Sequence, residues 1–168
     1  MHPPLLSVRG VVKRYPGVLA LDRVDLTLKA GEILGVVGEN GAGKSTLMKI
    51  LAGIERPDAG SIEIEGRSVE IVSTRVASRL GIALIHQELS LADNLSVGAN
   101  VFLGREPGRL GCIDHAAIRE RTSAALRRIG ANFSPDAPVA SLAIGQQQGV
   151  EIAKALAQDA KVLILDEP

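Results

Sequence analysis

Aromatic side chains are scarce in this chain: there is no tryptophan, and Tyr15, Phe102 and Phe133 are the whole complement. Single-stranded nucleic acid is commonly held by stacking bases on such rings, so a stacking surface of that kind is not expected. Net charge points the same way. Nineteen basic and nineteen acidic residues cancel, which leaves no global field toward a polyanion, and no nucleic-acid partner is expected. The single cysteine, Cys112, cannot close an internal disulfide, which fits a reducing compartment. Its expected role is that of a small buried apolar residue. Nowhere is there a run of about 18 apolar residues, so any contact with a membrane is expected to be indirect. What the chain does have is 168 residues with 46% hydrophobic content, enough for one sizeable core.

Against that background one stretch stands out. Residues 38–46, Gly-Glu-Asn-Gly-Ala-Gly-Lys-Ser-Thr, fit the phosphate-binding pattern G-x-x-x-x-G-K-[ST] without a mismatch. The apolar run Ile33-Leu34-Gly35-Val36-Val37 before it suits a buried parallel strand, and residues 46–52 after it read as a helix stopped by Gly53. Strand, loop and helix are the context the pattern requires. Glycines let backbone N–H groups curl around phosphate oxygens, and a helix N-terminus adds partial positive charge. Gly38, Asn40, Gly41, Gly43, Lys44, Ser45 and Thr46 are therefore candidate nucleotide contacts. Lys44 is expected to reach the β- and γ-phosphates, and the Ser45 hydroxyl to ligate Mg²⁺.

Upstream, residues 6–12 and the alternating residues 24–29 read as an antiparallel pair. Lys13-Arg14-Tyr15-Pro16-Gly17 forms the loop between them. Two readings of Tyr15 stand on these residues: a ring stacked on a base, or a tyrosine half-packed at a strand end. Residues 61–66 alternate as a further strand of the same sheet, and Ser73 to Leu80 is a short helix closed by Gly81. The apolar run 82–85 then delivers His86, Gln87 and Glu88 at its carboxyl end, where open α/β sheets place their ligands. His86 by itself reads as a packed or solvated side chain. Residues 97–103 are helical in pattern, and Asp114 caps a helix with Ile118, Thr122, Ala125, Leu126 and Ile129 on one face and arginines largely off it. A helix over about 147–158 precedes Val162-Leu163-Ile164-Leu165, a third buried-type strand. That strand ends in Asp166-Glu167. Two acids on a rigid apolar strand suit the second half of a nucleotide site, Asp166 holding Mg²⁺ through water and Glu167 polarising the attacking water.

Taken in order, Tyr15, the phosphate loop, Gln87, Leu142-Ala143-Ile144-Gly145-Gln146 and Leu165-Asp166-Glu167-Pro168 resemble an ABC-transporter ATPase domain over the whole chain. Residues 38–53, 85–89, 94–97, 102–106 and 146–156 are similar to the first ATPase domain of bacterial monosaccharide importers of the ribose, galactose and xylose type, in which two such domains stand in tandem. The resemblance implies an α/β fold, a P-loop NTPase of ABC type with an N-terminal antiparallel β subdomain and an inserted helical subdomain, incomplete at the C-terminus. Residues 1–168 are expected to form one partial ATPase domain, with about 1–88 and 147–168 as core and β subdomain and about 89–146 as the helical subdomain.

The same resemblance implies roles. Tyr15 would stack on adenine. Gln87, a catalytic candidate with Glu167, would sense the γ-phosphate and Mg²⁺ and pass the signal to the permease, and Ala143, Gly145 and Gln146 would close over ATP held by a second ATPase domain in a head-to-tail dimer. The implied activity is ATP hydrolysis with ATP and Mg²⁺, coupled to sugar transport through transmembrane permease subunits and, indirectly, a periplasmic sugar-binding protein. The implied location is the cytoplasmic face of the inner membrane, peripherally bound. Two features depart from the pattern. The family's signature has serine where this chain has Ala143, which removes a hydroxyl but leaves the backbone and helix dipole. The chain also stops at Pro168, before the switch histidine and further strands of the family, so the 168-residue chain alone is expected to be inactive. Two further readings are an ABC-type ATPase acting outside transport and a nucleotide-binding remnant without turnover.

Overall fold

The computed structural model describes residues 3–85, 89–109 and 111–165, and the chain divides into two compact units, 1–82 and 83–168.

The first unit is built on a four-stranded antiparallel sheet. Strands β1 (Leu6–Tyr15), β2 (Val18–Leu28), β3 (Ala59–Ile64) and β4 (Arg67–Val69) lie in the order β2-β1-β3-β4. Leu6, Val8, Val11, Leu21, Ile62 and Ile64 supply its buried apolar side chains. β1 does not end at Val12 as the sequence suggests. It runs through Lys13 and Arg14 to Tyr15, because Pro16 and Gly17, the latter at φ +77°, close a tight hairpin that sets Tyr15 opposite Val18. Helix α1 (Lys44–Leu51) packs against β2 and buries Leu47, Ile50 and Leu51, the i, i+3, i+4 stripe of an amphipathic helix. Helix α2 (Thr74–Arg79) starts where Ser73 Oγ accepts from the Val76 N–H at 3.4 Å.

Residues 33–37 differ from expectation. They form no strand, and Ile33 and Val37 are 99% and 95% exposed. A strand exists through its ladder of hydrogen bonds, and none of the described strands pairs with this segment.

Strand β5 (Ile82–Ile85), which opens the second unit from its second residue on, and strand β8 (Val162–Leu165) form a hydrogen-bonded pair. Val162 and Ile164 are buried while Leu163 and Leu165 are exposed, so the apolar run that reads as buried on both faces is covered on one. Helices α3 (Val97–Val101), α4 (His115–Arg128) and α5 (Ile144–Ala157) enclose a core of Val97, Val101, Phe102, Ile118, Ala125, Leu126, Val139, Val150 and Ala153. Each fully buried Leu, Ile, Val or Phe there contributes about 1.5–3 kcal/mol. Caps fix two of these helices: Ser96 Oγ accepts from the Ala99 N–H at 3.2 Å, and Asp114 Oδ1 from the Ala117 N–H at 2.9 Å. Asn100, fully buried, accepts from the Ala92 N–H at 2.7 Å and donates to the Ala92 carbonyl at 3.0 Å, which pins the loop before α3 to the helix. Strands β6 (Gly108–Arg109) and β7 (Cys112–Ile113) form a small hairpin. Cys112 is exposed rather than buried, since a two-residue ladder builds no core of its own.

Candidate nucleotide-binding site

The site begins with the loop before α1. Gly41 and Gly43 have φ of +85° and +87°, values that L side chains rarely adopt. At Gly43 the constraint is doubled. A Cβ there would lie 2.3 Å from the Ala20 carbonyl oxygen and 2.8 Å from Leu21 Cδ2, so only glycine lets the loop sit against β2. Gly43 is also the residue that caps α1, and with no side chain it satisfies none of the first N–H groups of the helix. A helix start without a side-chain cap keeps its first donors and the positive end of its dipole available to an anion.

Within the loop, the Ala42 N–H donates to the Glu39 carbonyl at 3.1 Å. Lys44 Nζ donates to the Gly38 carbonyl at 2.7 Å and the Glu39 carbonyl at 2.9 Å. The lysine is thus folded over the loop with its charge on backbone oxygens. Gly38, Asn40 and Ser45 are exposed, and Thr46 is half-buried at the first turn of α1.

Tyr15 lies in the same unit, at the end of β1, and is 38% exposed. Its hydroxyl donates to Glu55 Oε2, and the Lys13 ammonium stands 5.5 Å from the ring centroid. The bond to the Glu55 carboxylate, followed by desolvation and the Glu55 charge, holds the phenol above its ordinary pKa.

In the second unit, Ala143 caps α5 and is exposed, as are Gly145 and Gln146. Ala143 offers no side-chain acceptor. The Gln146 side chain instead folds back so that its Oε1 accepts from the Ala143 N–H at 3.0 Å, and Gln147 Nε2 donates to the Leu142 carbonyl at 3.1 Å. These two glutamines fix the approach to the helix, and they start α5 three residues before the sequence pattern suggests. Further along α5, Glu151 Oε1 accepts from the Ser90 N–H at 3.1 Å. Gln87, Asp166 and Glu167 lie outside the described residues, as does His86.

Glu55 and Glu151 carry no sequence signal of their own. Each meets its partner across a long separation, Glu55 reaching Tyr15 and Glu151 reaching Ser90. Among the described residues, no group of three or more His, Cys, Asp or Glu side chains is placed to hold a metal, and no helix is long and apolar enough to cross a membrane.

Residues 21–168 match the ABC transporter family. The chain is 56% identical over 97% of its length to the ribose import ATP-binding protein RbsA of Chromobacterium violaceum. It is 52% identical over 99% of its length to a putative ribose/galactose/methyl galactoside import ATP-binding protein of Burkholderia lata. It spans about a third of the length of these curated relatives, 33% in each case. Among solved structures, cbiO1 of Clostridium perfringens, part of the ABC transporter complex cbiONQ, superposes with a TM-score of 0.81 at 32% identity, over 99% of this chain and 66% of that one. The dimeric ATP-binding cassette MJ0796, bound to ADP and Pi, superposes with a TM-score of 0.75 at 25% identity, over 97% of this chain and 74% of that one. The fold is that of an ABC ATPase cassette, and the chain belongs to the ABC transporter family.

Proposed function

We propose that this chain is the ATP-binding part of a bacterial ABC importer for monosaccharides, which couples ATP binding and hydrolysis to movement of sugar through separate permease subunits. The observation that carries the reading is the loop before α1. Two left-handed glycines, a helix start without a side-chain cap and a lysine folded over the loop form a receptor for a polyphosphate. The named relatives, ribose and galactose import ATP-binding proteins, support sugar as the cargo class.

Gly38, Asn40, Gly41, Gly43 and Thr46 present the backbone N–H groups of the loop and helix start to phosphate oxygens. Lys44 leaves the Gly38 and Glu39 carbonyls for the β- and γ-phosphates, trading neutral acceptors for charged ones, where such bonds are roughly twice as strong. The donor set suits Mg²⁺, which keeps several waters and takes one or two protein oxygens plus substrate phosphates. Ser45 would supply one such oxygen through its hydroxyl, Asp166 would hold the ion through water, and Gln87 would be a further ligand. Bound Mg²⁺ would neutralise charge on the phosphates. Glu167 accepts the proton of the attacking water. Tyr15 stacks on adenine. Ala143, Gly145 and Gln146 at the start of α5 close over the γ-phosphate of ATP held by a second ATPase domain in a head-to-tail dimer, with the helix dipole in place of the missing hydroxyl. Residues from about 89 to 146 form the helical subdomain. A periplasmic sugar-binding protein delivers the cargo, and the protein sits peripherally on the cytoplasmic face of the inner membrane.

Affinity isolation of the intact protein from membranes of its own host tests the coupling. Recovery of a multi-spanning permease, with ATP-dependent monosaccharide uptake in vesicles carrying both, is expected. Recovery of ribosomes or DNA instead, with no permease, would overturn the transport reading.

A further inference from the structure

The segment that follows α1 grips the end of β1 at several points. The Asp58 N–H donates to the Val12 carbonyl at 2.8 Å, the Arg14 N–H donates to Asp58 Oδ2 at 2.6 Å, and Lys13 Nζ donates to the Arg56 carbonyl at 2.7 Å. All of these fix backbone or a lysine stem. One contact does something else. Glu55 Oε2 accepts from the hydroxyl at the far end of the Tyr15 ring. Glu55 is itself tied to the P-loop helix, since the N–H groups of Ile54 and Glu55 donate to the Lys49 carbonyl at 2.9 and 3.3 Å.

We infer that Glu55 is a positioning residue for nucleotide recognition: it holds the Tyr15 ring in the orientation a base stacks on, and couples that orientation to the helix that carries the phosphate loop. The inference rests on the reading of Tyr15 as the base-stacking residue. An exposed tyrosine at a hairpin end has two side-chain torsions to lose when a base stacks on it. Anchoring the hydroxyl removes that freedom before the ligand arrives, which is how preorganisation raises affinity. Lys13 stands over the ring, so the base takes the opposite face. Because Glu55 follows α1 and is bonded to its last turn through the Lys49 carbonyl, while the phosphate loop precedes the same helix, α1 links the ring's anchor to the phosphate site.

The test is a titration of the intact protein with ATP and, separately, with inorganic tripolyphosphate, which has no base, both with Mg²⁺. Glu55→Ala and Tyr15→Phe are expected to weaken ATP binding about three- to tenfold, the net worth of one hydrogen bond in water-exposed surroundings, and to leave tripolyphosphate binding unchanged. Glu55→Gln keeps an acceptor carbonyl and is expected to bind ATP within about twofold of the parent. Added to Tyr15→Ala, Glu55→Ala is expected to cause no further loss. Tyr15→Phe probes the same bond without touching the turn, so the comparison survives if Glu55→Ala fails to fold. Should Tyr15→Ala weaken ATP binding while Glu55→Ala and Tyr15→Phe do not, the inference is wrong and the stacking role of Tyr15 stands. No effect of Tyr15→Ala on ATP would remove both. An equal loss for tripolyphosphate in Glu55→Ala would reduce Glu55 to a support for the turn and overturn the inference.

Discussion

Replacing Gly43 by alanine separates two costs that most glycine substitutions mix. The residue sits at φ +87°, where an L side chain costs about 1–2 kcal/mol. The added Cβ would also stand 2.3 Å from the Ala20 carbonyl oxygen, whereas ordinary contact begins at 3.4 Å, so loop and strand must part by roughly 1 Å. Forced repacking of that kind costs about 1–3 kcal/mol, which brings the total to about 2–5 kcal/mol. Gly17 is the control. At φ +77° in the β1–β2 hairpin, with nothing within 4 Å of its Cβ position, Gly17→Ala pays only the first of these costs, about 1–2 kcal/mol. Denaturant titration of the intact protein should therefore rank Gly43→Ala below Gly17→Ala. ATP affinity should fall at least about tenfold in the former, because a displaced loop gives up at least one charge-assisted phosphate contact worth about 1.5–3 kcal/mol. Gly43→Ala with the stability of Gly17→Ala and the ATP affinity of the parent would refute the claim that this glycine seats the loop against β2.

Two further outcomes follow from the site. Glu167→Gln keeps the shape of the side chain and removes the base, so ATP turnover should collapse while ATP binding survives, and a near-parental rate in a phosphate-release assay would exclude Glu167 as the catalytic carboxylate. Ala143→Ser gives the N-cap of α5, which has no side-chain acceptor of its own, a hydroxyl that stabilises the helix by about 0.5–2 kcal/mol. By adding a bond to phosphate across the dimer it should raise turnover by up to about tenfold, and an unchanged rate would show that Ala143 is tolerated.

The loop before α1 was legible because its signal is local: glycine spacing, a lysine and a helix start all lie within nine consecutive residues. The cap Asp114 and the stripe on α4 were legible for the same reason. Contacts across the chain were not. Glu55 has no local mark, since its meaning comes from Tyr15 forty residues away. Residues 33–37 carry the composition of a buried strand, yet pairing decides whether such a run becomes one, and the described strands leave it exposed. Gly145 and the short side chain of Ala143 hid the true start of α5, which Gln146 fixes by reaching back to the Ala143 N–H. The β6–β7 hairpin, with two-residue strands, is too short for any periodicity to announce it.

The central claim is that the loop before α1 binds the phosphates of ATP through Lys44, and a calorimetric titration of Mg²⁺-ATP into the intact protein and its Lys44→Ala variant tests it most directly. A charge-assisted contact of about 1.5–3 kcal/mol predicts an affinity at least about tenfold lower for Lys44→Ala with the fold unchanged by circular dichroism. Equal affinities for the two proteins would contradict the assignment.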